Sequence, residues 1–137
     1  MSTVSPDQPE ASRRVSVIVP CRNEVEHIVP FCQSVAAQQL PEGWTLEVWV
    51  ADGMSNDGTR ERLAAFCEEG DARFTMIDNP GRIVSTGLNR CIERATGEFI
   101  VRLDVHTVYA QDYIAQCLAT WQATGADNVG GPWRAQG

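Results

Sequence analysis

The stretch "VSVIVPCRNE", residues 15–24, carries the strongest structural signal in the sequence. Its first part, residues 15–20, is rich in β-branched residues and ends at Pro20, and the polar turn "CRNE" follows. A nearly continuous apolar run of strand length is typical of a strand that is buried on both faces, as in a parallel sheet. Residues 15–20 therefore predict the first strand of a parallel sheet, with "CRNE" at its carboxyl end.

The rest of the chain alternates between strand patterns and helix patterns. Further strands are predicted at "TLEVWVAD" (45–52), "RFTMID" (73–78), "EFIVRLD" (98–104) and "NVGGPW" (128–133). Helical spacing of apolar residues predicts helices within residues 25–36, 59–69, 84–95 and 110–123. Pro30 predicts a kink or a late start in the first helix, and the third should bury Val84, Leu88, Cys91, Ile92 and Ala95. This alternation predicts an α/β fold, with a mostly parallel central sheet flanked by helices.

Length and charge narrow the class of protein. The 137 residues suit one domain, and we expect the polar, Pro- and Ser-rich residues 1–14 to be a disordered lead-in. The formal net charge of −7 argues against a nucleic-acid partner, because phosphate backbones are bound by basic surfaces. The start lacks the apolar core of a signal peptide, and no apolar run reaches the ~18 residues of a membrane span.

The cysteines indicate a reducing compartment. The chain has five cysteines, spaced singly and without a C-x-x-C pair: Cys21, Cys32, Cys67, Cys91 and Cys117. An odd number at such spacings does not suggest a disulfide framework, so we interpret them as small core residues with free thiols. Together with the missing signal peptide, they favour a cytoplasmic location.

Polar loops follow three of the predicted strands. They are "CRNE", "DGMSND" and "DVH". Right-handed crossovers bring the carboxyl ends of parallel strands to one edge, where such sheets bind their ligands. No glycine follows the first strand, which argues against a G-x-G-x-x-G dinucleotide site, and the sequence contains no Walker A motif. Another arrangement must therefore hold any phosphate.

Asp104 and His106 are the candidates for that role. A carboxylate and an imidazole two positions apart can bind a divalent cation, which in turn binds phosphate oxygens. The imidazole makes Mn²⁺ a better match than Mg²⁺. The alternative is a polar strand end without a ligand, and the triplet D-x-H alone does not distinguish the two.

Other residues near the strand ends have two interpretations each. Asp52 can accept hydrogen bonds from a base or ribose, or it can form an Asx turn or helix cap. Asn23 and Glu24 can contact a ligand and cap a helix at the same time. Arg82 can reach a phosphate, whereas we expect Arg102 to pair with an acid on a neighbouring strand. His27 is expected to be an exposed helix residue.

Three segments taken in order resemble glycosyltransferase family 2. They are "VSVIVPCRNE", "VWVADGMSNDGT" and "NPGRIVSTGLNRCIERATGEFIVRLDVHT", and the resemblance spans residues 15–133. It is strongest to the succinoglycan or exopolysaccharide type. The resemblance implies a GT-A fold, a Rossmann-like fold of nucleotide-diphospho-sugar transferases. It also implies inverting transfer of a sugar from a nucleotide-diphosphate donor, with UDP as the expected nucleotide, to a saccharide or lipid-linked acceptor.

The resemblance also implies a role for individual residues. The loop after the first strand lines the nucleotide pocket, Asp52 contacts the base, and Asp104 corresponds to the first acid of a D-x-D motif. His106 stands where the second, metal-binding acid is usual; it brings no negative charge, so we expect weaker and more pH-dependent metal binding. The residues predicted to bind the nucleotide sugar are Pro20, Arg22, Asn23, Glu24, Asp52, Arg82 and Asp104, and those predicted to bind Mn²⁺ or Mg²⁺ are Asp104 and His106.

Members of this family continue beyond the matched region, into a half that carries the catalytic base and the acceptor site. We therefore expect residues 15–137 to be the donor-binding half of a truncated GT-A domain, without a catalytic base and inactive on its own. Membrane association would come only through regions outside this chain. Apolar surface around Trp133 predicts self-association as a homo-oligomer. The alternative function is a non-catalytic nucleotide-binding or assembly module with the same fold.

Overall fold

Residues 13–124 are described by the structure, a computed structural model. Their strands are β1 (Arg14–Cys21), β2 (Thr45–Asp52), β3 (Phe74–Asp78) and β4 (Phe99–Arg102). Their helices are α1 (Ile28–Ala36), α2 (Thr59–Ala65), α3 (Val84–Arg94) and α4 (Tyr113–Thr124). A π-helical turn, Phe66–Gly70, continues α2. The predicted α/β alternation is confirmed over this part of the chain.

These four strands pair in parallel, in the spatial order β3-β2-β1-β4. The first two strands pair from Arg14 opposite Thr45 to Cys21 opposite Asp52. On its other side β1 pairs with β4, as far as Ile18 opposite Arg102. The run that predicted a strand buried on both faces is thus an inner strand of the sheet.

The two faces of the sheet pack differently. One face packs Val15, Val17 and Val19 of β1 into the main core, which includes buried residues of α1, α2 and α4. The other face holds a smaller cluster around Ile18, to which α3 contributes Cys91. Alternation of side chains along β1 explains the division, because successive residues of a strand point to opposite faces.

Helix α3 differs from its predicted orientation. Cys91 is fully buried, as expected, but Val84 and Ile92 are each 49% exposed. The helix approaches the sheet at Gly87, where an added Cβ would lie 3.4 Å from the Cβ of Ala51. Because Gly87 and Cys91 are small, the helix lies close to the sheet on this side, and this turns Val84 and Ile92 outward.

The other element boundaries agree with the predictions to within a few residues. The first helix starts late, at Ile28, so that Pro30 falls in its first turn, where the ring is tolerated. The fourth strand ends at Arg102, short of the predicted Asp104, and Arg14 already belongs to β1 rather than to the lead-in. The predicted strand 128–133, Trp133 and residues 1–12 of the predicted lead-in lie outside the described residues.

The order of the strands reverses direction next to β1, and we call this position the switch point of the sheet. From β1 the chain passes through β2 to β3 at one edge, and α3 then returns it across the sheet to β4 on the other side of β1. Such a reversal creates a crevice beyond the carboxyl ends of the two strands that flank it, and this is where open α/β sheets bind ligands. The loops after β1 and β4 therefore form the predicted binding edge.

All five cysteines have free thiols, as predicted. Four of them are buried, and Cys67 is partly exposed. Among the helices of residues 13–124, none has the length and apolarity that crossing a bilayer requires.

Candidate functional site

A cavity of about 270 Å³ opens between the loops that follow β1 and β4. Its lining comes from three segments: the end of β1 and the loop after it, the loop that leads into α3, and the end of β4 and the loop after it. The structure brings most of the predicted site residues together here: Pro20, Arg22, Glu24, Arg82, Asp104 and His106. Two predicted residues, Asn23 and Asp52, are not part of this lining and have other partners.

The loop after β1 is fastened to the loop after β2. Asn23 adopts a left-handed backbone conformation, with φ 53°, and its side-chain Oδ1 accepts a hydrogen bond of 2.9 Å from the backbone N–H of Asn56. The backbone N–H of Glu24 donates to Oγ1 of Thr59 at 2.8 Å. Asparagine tolerates the left-handed region, which suits it to this turn. Asn23 therefore positions Glu24 beside the cavity.

Asp52 is fully buried at the carboxyl end of β2. Its Oδ2 accepts the backbone N–H of Ser55 at 2.9 Å, and its Oδ1 accepts the hydroxyl of Ser55 at 2.6 Å. Arg60 completes the set with a 2.8 Å ion pair to Oδ2. The contacts with Ser55 form the Asx turn that was one of the two interpretations of Asp52. The other interpretation, contact with the base of a nucleotide, stays a prediction.

Arg60 is a residue that sequence reasoning missed. It lies in the first turn of α2 and bridges Asp52 to Asp78, at the end of β3, with a second ion pair of 2.7 Å. Hydrogen bonds to Asp78 and then to Asp52 raise the pKa of the Arg60 guanidinium. The sequence pattern that could have indicated it is an aspartate at the end of a strand, followed by a helix with an arginine at its second position.

The segment after β4 explains the spacing of D-x-H. The sheet hydrogen bonding continues one residue beyond the strand, where the backbone N–H of Leu103 donates to the carbonyl of Ile18 at 3.1 Å. Leu103 and Val105 are buried at 1% and 3% exposure, so the intervening Asp104 and the following His106 face the cavity. Val105 and His106 form a turn, closed by a 3.1 Å hydrogen bond from the backbone N–H of Thr107 to the carbonyl of Asp104, and this turn keeps the acid and the imidazole beside the cavity.

Hydrogen bonds hold Asp104 in place. Its Oδ1 accepts the backbone N–H of His106 at 3.0 Å, and its own backbone N–H donates to the hydroxyl of Tyr109 at 2.9 Å. Burial raises the pKa of Tyr109, which is 6% exposed. Tyr109 is a second residue that sequence reasoning missed, because a tyrosine after D-x-H-T carries no motif of its own.

The prediction for Arg102 is wrong. No ion pair of Arg102 is found within residues 13–124, and its side chain lines the cavity with Arg82 instead. The reason is the strand register, which puts the apolar Ile18 opposite Arg102 on β1. Arg82 likewise has no ion pair in this part of the chain. Arg22 also lines the cavity and donates to the carbonyl of Gly53, so three guanidinium groups border it without an ion-pair partner among residues 13–124.

His27 is exposed, as predicted, but it lies in the turn before α1 and not in the helix, and it contacts another ring. Its ring centroid lies 5.0 Å from that of His106, and Nε2 of His106 lies 2.9 Å from Oε2 of Glu24. One ligand atom from each of the three residues lies within 4.8 Å of the others. A possible signal was the spacing E-x-x-H, residues 24–27, directly after a predicted strand.

Comparisons of the sequence with known proteins identify the family to which this chain belongs. The sequence profile of "Glycosyl transferase family 2" matches residues 16–137. The chain belongs to this family. It is 36% identical over 115 residues to the succinoglycan biosynthesis protein ExoA of Rhizobium meliloti, covering 82% of this chain and 34% of ExoA. It is 32% identical over 117 residues to the glycosyltransferase AglE of Haloferax volcanii, covering 85% of this chain and 38% of AglE.

Solved structures show the same fold. The mannosyltransferase PcManGT from Pyrobaculum calidifontis, in complex with GDP-Man and Mn²⁺, superimposes with a TM-score of 0.71 at 31% identity. The match covers 79% of this chain and 32% of PcManGT. TarS of S. aureus in complex with UDP has a TM-score of 0.68 at 23% identity, covering 83% of this chain and 33% of that one. The GT-A fold is therefore confirmed, and the chain spans about a third of the length of these relatives.

Proposed function

We propose that this chain is the donor-binding part of an inverting glycosyltransferase in polysaccharide biosynthesis. Its donor is a nucleoside diphosphate sugar, with UDP as the expected nucleotide, and its acceptor is a saccharide or a lipid-linked saccharide. The proposal draws on the family membership, on the succinoglycan relative and on the nucleotide complexes of the structural relatives. The free thiols favour a location in the cytoplasm, at the membrane face when the acceptor is lipid-linked.

The observation that carries the proposal is the composition of the cavity at the switch point. Arg82 and Arg102 border it without an ion-pair partner in the described part of the chain, and Asp104 faces them from the loop after β4. Planar guanidinium groups match the oxygens of a diphosphate, and charge-assisted hydrogen bonds of this kind are the strong ones. A carboxylate beside them suits a cation or a ribose hydroxyl.

The donor atoms at the cavity also fit a divalent cation. The carboxylate of Asp104 and the imidazole of His106 offer one oxygen and one nitrogen ligand, which leaves most positions for diphosphate oxygens and water. This mixed set suits Mn²⁺ better than Mg²⁺. When bound, the cation would neutralise the charge that develops on the departing diphosphate.

The chain's own residues would bind and orient the donor. Arg82 and Arg102 would hold the phosphates in place, and Asp104, fixed by its contacts with His106 and Tyr109, would fix the ribose. Holding the donor in one geometry lowers the entropic part of the barrier to transfer. We assign no catalytic base among residues 13–124; in the whole enzyme a base would deprotonate the acceptor hydroxyl that attacks the anomeric carbon.

Calorimetric titration of the chain with UDP tests the proposal, first with Mn²⁺ present and then with the metal chelated. We expect binding that requires the metal and is lost in the Asp104→Ala variant. A matched control is Glu98→Ala, because Glu98 is exposed and directly precedes the amino end of β4, whereas Asp104 follows its carboxyl end. UDP binding that ignores both the chelator and Asp104→Ala would contradict the metal role. No binding by a chain shown to be folded by circular dichroism would favour the non-catalytic assembly module.

A further inference from the structure

The two histidines of this chain meet at one point on its surface. The sequence contains two histidines in 137 residues, His27 and His106. Their ring centroids are 5.0 Å apart, and Glu24 lies beside them, with Oε2 2.9 Å from Nε2 of His106. One ligand atom from each of these three residues lies within 4.8 Å of the others. Two imidazoles and one carboxylate form a frequent ligand set for transition metals in proteins.

Backbone hydrogen bonds hold the three residues in position. Glu24 and His27 belong to one turn, in which the backbone N–H of His27 donates to the carbonyl of Glu24 at 3.0 Å. His106 is held from the other side by the 3.0 Å hydrogen bond between its backbone N–H and Oδ1 of Asp104. The turn and the D-x-H segment follow two neighbouring parallel strands, β1 and β4. The cluster is therefore supported by the sheet and does not depend on a flexible loop alone.

We propose that Glu24, His27 and His106 bind one divalent transition-metal ion, such as Zn²⁺ or Co²⁺, without a nucleotide. Metal–ligand distances of about 2.1 Å place neighbouring ligand atoms about 3.4 Å apart in a tetrahedral site. The present separations of up to 4.8 Å come into that range by rotation of exposed side chains. His27 and His106 are exposed and can rotate. Three protein ligands leave at least one position open for water or another ligand.

The surroundings favour a cation. Glu24, His27 and His106 line a surface cavity of about 390 Å³ together with two further acids, Glu26 and Asp57. The three carboxylates give a negative local potential that attracts divalent ions. Glu24 and His106 also line the cavity at the switch point, so the ion would lie in the wall between the two cavities.

The ligand types predict which ion is preferred. Mg²⁺ and Ca²⁺ take oxygen ligands, and this set supplies two imidazole nitrogens. Among first-row divalent ions, the affinity of such ligands increases from Mn²⁺ to Co²⁺, and their affinity for Zn²⁺ is also higher than that for Mn²⁺. This proposal goes beyond the proposed function and does not rest on it. It concerns metal binding in the absence of nucleotide, and it assigns a ligand role to His27 and Glu24 in place of Asp104.

Titration of the full chain with Zn²⁺ by calorimetry, without nucleotide, tests the inference. We expect one Zn²⁺ per chain, and an affinity that falls at least about 100-fold in His27→Ala and Glu24→Gln. Glu93→Gln, an exposed acid on α3, is the matched control and should bind as the unaltered chain does. Cys67→Ser tests for binding by the most accessible thiol and should also leave the affinity unchanged.

A spectroscopic measurement is independent of affinity. With Co²⁺, we expect paramagnetic shifts of the imidazole ring protons of both histidines, which are the two imidazole signals of the spectrum. The inference is overturned if Zn²⁺ does not bind, if binding requires UDP, if it survives His27→Ala, or if it is lost in Cys67→Ser. Zn²⁺ binding with no UDP binding would support the inference and remove the proposed function, and the reverse result would do the opposite.

Discussion

Asp52 and Arg60 form a 2.8 Å ion pair in which the carboxylate is fully buried and the guanidinium side chain is 27% exposed. The same guanidinium reaches Asp78 at the end of β3. Arg60 thus ties the carboxyl ends of two adjacent strands to the start of α2. The pair stands next to the binding edge, so its loss affects both the stability of the protein and the shape of that edge.

We expect Arg60→Gln to lower the free energy of unfolding by about 1–3 kcal/mol, because a buried carboxylate loses its charged partner. Ser55 continues to donate two hydrogen bonds to Asp52, which limits the loss. Urea unfolding followed by circular dichroism measures the change. Arg90→Gln, at an exposed position of α3, is the matched control. Equal stabilities of the two variants would show that the ion pair contributes nothing.

Arg102→Ala should weaken UDP binding by about 10- to 100-fold, because a hydrogen bond to a charged group contributes about 1.5–3 kcal/mol. Arg102 lies at the end of β4, where its side chain lines the cavity at the switch point. Calorimetric titration with UDP and Mn²⁺ measures the effect, with Arg90→Ala as the control. If Arg102→Ala binds as tightly as the control, Arg102 is not a phosphate ligand.

The cysteines should react with a thiol reagent in a fixed order. Burial raises the pKa of Cys32 to about 12 and also raises the pKa of Cys21. Thiolates are the reactive species, so these thiols are protected by both protonation and burial. Cys67 is the partly exposed thiol of the five. Ellman's reagent should therefore label one thiol per folded chain, and Cys67→Ser should abolish that labelling. Rapid labelling of several thiols in native buffer would disagree with the packing.

Stability should depend on Glu47 at neutral pH and lose this dependence in acid. Partial burial raises its pKa, but hydrogen bonds from Ser16 and Thr96 outweigh this and leave the pKa below its ordinary value of 4.5. A carboxyl whose pKa is lowered in the folded state stabilises the protein above its unfolded pKa, and this contribution is lost as the pH falls through the folded pKa. Glu47→Gln should thus destabilise the protein near neutral pH.

Urea unfolding of the unaltered chain and of Glu47→Gln, compared between about pH 7 and about pH 3, checks the Glu47 prediction. The difference in the free energy of unfolding should shrink towards the acid end. Glu98→Gln, which changes an exposed acid at the start of β4, is the control for general charge effects. A difference that stays constant with pH would mean that the Glu47 carboxylate itself is not responsible.

The fold could be predicted from the sequence because the apolar residues follow two distinct patterns, one typical of buried strands and one typical of helices. Apolar runs such as residues 15–20 indicated inner strands, and the helical spacing between them indicated crossovers. The helix orientation of α3 was predicted less well, because close approach at Gly87 turns Ile92 outward, and a glycine carries no hydrophobic signal. The strand ends were visible as polar loops, and half of the residues that line the cavity were among the predicted site residues.

The parts of the site that were missed depend on register and on contacts between distant segments. Arg102 was expected to have an acidic partner, and the strand register, which places Ile18 opposite it, cannot be read from one strand alone. His27 was interpreted from the helical pattern of its neighbours in the sequence. Its contact with His106 could not be predicted, because 78 residues separate the two in the sequence. Arg60 and Tyr109 act through hydrogen bonds to residues already known, and no motif marks them.

The position of β1 between β2 and β4 has a consequence for the order of assembly during synthesis. The loops that meet at the site follow β1 and β4, the first and the last of the described strands in chain order. A nascent chain that ends after β3 can already form the β1–β2–β3 side of the sheet, because these strands are neighbours in sequence and in space. It has no binding edge, since the segments that carry Arg82, Arg102 and His106 follow β3 and have not yet been synthesised. Ligand binding therefore reports the docking of β4 onto β1. Of the described strand pairs, these two strands are the most distant in sequence, so their pairing closes the longest loop and is expected to form slowly.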